Sequence, residues 1–192
     1  MMFVQQVFLW WFVLFIFGLI ALPLTTRIFS SFFDKGYSFS KIIGLIITTY
    51  LIYFLGTIHV LQFNSFTLIG LVCFLGIASF LFYKNQKKYF QLPQMWKIFL
   101  CEEVLFFLSL LFWSYIKGFQ PDIHGLEKFM DYGFINSILR TTYFPAKDMW
   151  MAPLSINYYY FGHIMTAALV KISFLPSNIA FNLMLATLFA LT

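Results

Sequence analysis

Two carboxylates four residues apart, Glu127 and Asp131, are the pair best spaced for chemistry in a chain with seven acidic residues. On a helix that spacing puts them on one face. Such a pair can take a proton as a general base or hold a divalent cation as cofactor. A structural role competes with both: acids favour the first turn of a helix, and Lys128 is close enough to pair with them. On the same helix Asn136 and Arg140 fall toward the opposite side. Further on, the run INYYYFGH ends in His163. If that run is helical, Tyr159, Tyr160 and His163 share a face at spacings of four and three, and Tyr158 points elsewhere. The rings suit an aromatic belt at the headgroup level. His163 lies deeper and could donate to a phosphate or orient a carboxylate. Asp122 and Asp148 are weaker acid candidates.

All of these residues fall between Pro121 and His163, the one long polar-bearing stretch of the chain. Of the 192 residues 61% are hydrophobic and 10% charged, against roughly 25% charged in a soluble domain. The class is an all-α, polytopic transmembrane helix bundle with a long structured external loop. The net charge of +5 does not indicate nucleic acid, because the basic residues lie in short loops between apolar runs, where they set orientation. Cys73 and Cys101 lie inside apolar runs, far apart, and read as free thiols. No Cys/His spacing resembles a zinc site.

The elements that must present the polar stretch are membrane spans of roughly 20 residues each. They are expected at about 7–24, 42–61, 66–83, 98–116 and 156–175, with a sixth, 177–192, that stops with the sequence and suggests a fragment of a longer protein. The loops after the first and third spans hold the basic excess, including Arg27, Lys35, Lys41, Lys84, Lys87, Lys88 and Lys97. The positive-inside rule makes that side cytoplasmic. The N-terminus and the 117–155 loop are then extracytoplasmic, in a cell membrane. Lys171, in the last turn of span five, is expected to snorkel to the inner headgroups. Glu102 and Glu103 read mainly as acids near the start of span four, with Lys97 close by.

A 117–155 loop exceeds the 12–15 residues beyond which unstructured connections become uncommon. A helix is expected over about 126–140, lying at the interface with its polar patch in the first two turns. Pro145 and Pro153 then break the chain into turns.

The motif EKFMDYGFINSILRTTYFP, then KDMW, then INYYYFGH, resembles the signature of the YYY family of highly hydrophobic bacterial and archaeal membrane proteins. FFDKGYSFSKIIGL resembles that family's early loop. Phe129 stands where the family usually has proline, and FPA at Phe144–Ala146 replaces the usual FPP; neither change removes a polar group. Family members are usually several times longer, so the resemblance is to their N-terminal part. The family is placed with the GT-C glycosyltransferase superfamily. The resemblance implies an enzyme that takes a sugar from a polyprenyl-phosphate donor on the outer face. Glu127 or Asp131 would be the base or metal-binding acid, with Lys128, Arg140, Tyr159, Tyr160 and His163 toward the substrate. The alternatives are a non-enzymatic lipid-carrier transporter, a membrane assembly subunit, or an inactive N-terminal fragment.

Overall fold

The computed structural model describes residues 2–86, 92–125 and 127–192. Lys87 and Lys88 of the basic loop and Leu126 at the expected helix start lie outside them. The regular elements of the described residues are helices: α1 (Met2–Ile28), α2 (Tyr37–Thr57), α3 (Ser65–Gln86), α4 (Leu92–Gly118), α5 (Lys128–Leu139), α6 (Phe161–Ser173) and α7 (Ser177–Leu191). Among the described residues the sole β pairing is one antiparallel bridge between Lys147 and Ser155. This is the helical membrane bundle that the composition demands, since lipid leaves backbone groups no partner but the helix itself.

Three helices, α1, α2 and α3, are long and apolar enough to cross a bilayer unaided. The 27 residues of α4 also give sufficient length, interrupted by two carboxylates. α1 and α2 cross in very close contact at Gly44, where a Cβ would lie 2.1 Å from the Phe17 carbonyl oxygen. Only glycine lets the two backbones approach this closely.

The expected fifth and sixth spans need correction. α6 has 13 residues and α7 has 15, and about 1.5 Å per residue leaves each short of a hydrocarbon core of ~30 Å. They reach spanning length only as a pair bent by 119°. Phe174, in the left-handed conformation at φ 57°, ends α6, and Pro176 caps α7. The start of α6 is delayed because Ile156 N–H donates to the Ala146 carbonyl at 3.0 Å. That bond and the Lys147–Ser155 bridge hold residues 155–156 extended, so the helix cannot begin before the tyrosines have passed.

The 117–155 segment docks on one end of the bundle. Phe63, in the α2–α3 connection, donates its N–H to Thr142 at 2.8 Å. The Phe144 ring enters a buried cluster with Phe63, Ile52, Leu68, Phe134, Ile138 and Ile164. A second cluster, centred on Trp10, Leu14, Phe17, Leu110, Leu169 and Leu183, joins α1, α4, α6 and α7. Both ends of α6 touch the docked segment: His163 meets Asp131, and Lys171 donates to the Leu139 carbonyl at 3.0 Å. Lys171 therefore does not reach the opposite face as expected. Its ammonium lies at the C-terminus of α5, where helix carbonyls lack partners, and 5.0 Å from the centre of the Phe63 ring.

Candidate functional site

α5 is the platform of the site. It starts one to two residues later than the sequence suggests, with Glu127 as its N-cap and Arg140 as its C-cap. Phe134, Ile135, Ser137 and Ile138 form its buried face. Gly133 lies against Met149, whose sulfur would be 2.0 Å from an added Cβ. The Ser137 hydroxyl also donates to the Lys147 carbonyl. These contacts clamp the KDMW turn onto α5 and fix the helix beside α6.

Asp131 projects from the first turn of α5 toward the first turn of α6. His163 Nε2 lies 3.1 Å from Asp131 Oδ1, and the two side chains are 15% and 35% exposed. The acid is thus open to a substrate while the imidazole is mostly covered. An edge-on contact with Phe134, 5.5 Å between ring centres, fixes the imidazole plane. His163 Nδ1 is buried and has no hydrogen-bond partner among the described residues. The Nε2–H group donates to the carboxylate and fixes which carboxylate oxygen remains free. Glu127 is exposed, one turn away. Lys128 forms no ion pair with either acid among the described residues. No three His, Cys, Asp or Glu side chains among them converge on a point that could hold a metal ion. Glu127, Asp131 and His163 therefore do not make a ready ligand set for the divalent cation that the acid spacing allowed.

The tyrosines depart from the expected helical face, since α6 begins only at Phe161. Tyr158 and Tyr159 stack with ring centres 4.0 Å apart, and the Tyr158 hydroxyl donates to that of Tyr159 at 2.7 Å. That hydrogen bond, slight desolvation and the nearby charges of Tyr159, Glu127 and Asp131 push the Tyr158 phenol up to about 12. Tyr158, expected to point elsewhere, is the tyrosine that feels both acids. The Tyr159 hydroxyl accepts this bond and keeps its own proton to donate onward. Tyr160 instead turns inward, edge-on to Tyr53 at 6.4 Å. Burial and then Tyr53 push its phenol up to about 12. It packs the core and does not share a face with Tyr159 and His163.

Arg140 is at the far end of α5 from Asp131, nine residues or about 13 Å along the axis. With Lys147, Thr141 and Thr142 it lines a separate cavity of 520 Å³. Asp148 Oδ1 accepts the N–H groups of Trp150 at 2.7 Å and Met151 at 3.0 Å, so this acid builds a turn.

A second polar centre was missed. Glu103 in α4 accepts from Trp11 Nε1 of α1 at 2.7 Å and from the Tyr37 hydroxyl of α2 at 2.5 Å. The ammonium of Lys41, also on α2, lies 2.5 Å from the same carboxylate, with the two side chains 5% and 11% exposed. The ammonium is also 4.8 Å from the ring centres of both Tyr37 and Phe106. Glu103 thus has a buried partner on another helix, not the neighbouring Lys97. The usable signal was Lys41 itself, a cation at the mouth of a span.

Fold and site together define a polytopic helical membrane protein carrying a polar site docked on one end of its bundle. A family model of uncharacterised membrane proteins, DUF2298, matches residues 47–192, and the chain belongs to that family. No curated protein and no solved structure matches it.

Proposed function

We propose that this protein is a GT-C-like glycosyltransferase of the YYY kind, moving a sugar from a polyprenyl-phosphate carrier to an acceptor hydroxyl. The observation that carries this reading is the Asp131–His163 contact at 3.1 Å, an acid open to substrate and oriented by a covered imidazole. Asp131 is the general base: it takes the acceptor proton as the sugar–phosphate bond breaks. His163 holds the carboxylate in place. Glu127 supplies a second negative charge one turn away, and the Tyr159 hydroxyl and Lys128 face the substrate. Tyr160 serves the core, and Arg140 works in its own cavity.

The basic excess in the loops after the first and third spans supports an outer-face position for this site, where lipid-linked sugars would be met. Replacing Glu127 by Gln and Asp131 by Asn, then following release of lipid-linked sugar, tests the assignment. Loss centred on Asp131 is expected. Full turnover in both variants sinks it. Stable binding of polyprenyl phosphate without sugar release by any form favours a lipid-carrier transporter or an assembly subunit instead.

A further inference from the structure

A cavity of 500 Å³ opens between the N-terminal end of α1, the C-terminal end of α4, the 121–124 segment and the start of α7. Phe129 and Tyr132 of α5 are in its wall, and neither Asp131 nor His163 lines it. Two features make it more than a gap between helices. Ser114 is 4% exposed and its hydroxyl has no hydrogen-bond partner among the described residues. Thr48, Thr166 and Thr187 each bond back to the carbonyl four residues earlier; Ser114 does not. Asn182 Oδ1 is likewise buried and unpartnered, although its amide nitrogen donates to Pro121 at 3.1 Å and to Asn178 at 3.3 Å. Leaving such groups unpaired costs about 1–3 kcal/mol each, so a fold that keeps two in one cavity has a use for them.

We propose that this cavity binds the neutral, hydroxyl-bearing headgroup of an amphiphile, such as a sugar or glycerol lipid. Asn182 Oδ1 can only accept, so the ligand must offer a hydroxyl or N–H donor. The Ser114 hydroxyl can accept or donate, which suits a second hydroxyl. Lys117 and Asp122 in the same wall carry opposite charges, so the cavity favours neither an anion nor a cation. Phe3, Val7 and Leu183 provide an apolar side facing the membrane helices, which suits an attached chain. The site is separate from the proposed catalytic one, and its test reads binding, not turnover.

The protein in phosphatidylcholine nanodiscs is irradiated with a photoreactive octyl glucoside, and the crosslinked peptides are mapped by mass spectrometry. Saturable labelling is expected in residues 114–124 and 178–183, competed by unlabelled octyl glucoside. Ser114→Ala and Asn182→Leu should each weaken it about threefold to tenfold, the loss of one neutral hydrogen bond. Gly118→Leu, in the cavity wall where an added Cβ meets nothing within 4 Å, should abolish it by filling the space the headgroup needs. Lys147→Ala, at the other polar cavity, should leave it unchanged. Labelling that does not saturate, spreads along the lipid-facing helices or ignores all three cavity variants overturns the proposal. So does equal competition by an octyl sulfobetaine, which shows that only the chain is bound. Equal competition by free glucose overturns the lipid assignment and points to a soluble polyol.

Discussion

At the scale of single residues, the molecule handles charge in two ways. Asp131 stays reachable and is oriented by His163, while Glu103 and Lys41 are buried as a pair. Removing one partner of a buried pair leaves the other charge uncompensated, at about 3–5 kcal/mol. Glu103→Gln and Lys41→Met should each lower stability by about that amount in a detergent unfolding assay. The double replacement by apolar residues should recover much of the loss; additive damage would mean the pair is not the reason. The sequence exposed Asp131 because Glu127 lies four residues before it, a spacing that puts two acids on one helix face. It hid Glu103 because Lys41 lies 62 residues away and meets it only across helices. Tyr158 was hidden for a different reason: assuming a helix through INYYYFGH rotates it away, whereas the extended 155–156 backbone turns it toward the acids.

Individual elements depend on a few local devices. Gly44 lets α1 and α2 cross, and the oxygen that an added Cβ would strike belongs to rigid backbone. Gly44→Ala should therefore destabilise by about 1–3 kcal/mol, the usual cost of overpacking, while Gly70→Ala, whose Cβ meets nothing within 4 Å, should be neutral. The start of α2 is organised by Asp34, whose carboxylate accepts Gly36 N–H and Ser38 N–H at 3.0 Å and the Ser38 hydroxyl at 2.8 Å. Burial pushes this acid up, but the hydrogen bonds from Ser38 and Gly36 outweigh it and leave the carboxyl below its ordinary 3.8. A depressed carboxyl contributes stability that is present above its unfolded value and lost as the pH falls below it. Melting curves of the protein should thus drop more steeply below about pH 3.8 than those of Asp34→Asn; parallel curves would remove Asp34 from the account. Element type and placement through α4 were legible because apolar runs of about 20 residues have one structural solution in lipid. The break between α6 and α7 was not, because it depends on Phe174 adopting a left-handed conformation and on a bridge formed at long range.

On the scale of the whole molecule, the N-terminal end of α1, the α2–α3 connection and the docked 117–155 segment share one end of the bundle. The basic loops predict that this end is extracytoplasmic. After Cys73 and Cys101 are replaced by serine, a cysteine at exposed Tyr159 should react with an impermeant maleimide on intact cells. One at Phe33, equally exposed in the α1–α2 connection, should react only after permeabilisation; the reverse pattern would invert the orientation. The central claim is that Asp131 is the base of a sugar-transfer reaction, and the turnover rate of Asp131→Asn on a polyprenyl-phosphate sugar tests it most directly. A general base contributes about 10²–10⁴-fold, so the rate should fall by at least about 100-fold in a protein that still folds. A rate within about threefold of the unsubstituted protein would contradict the claim.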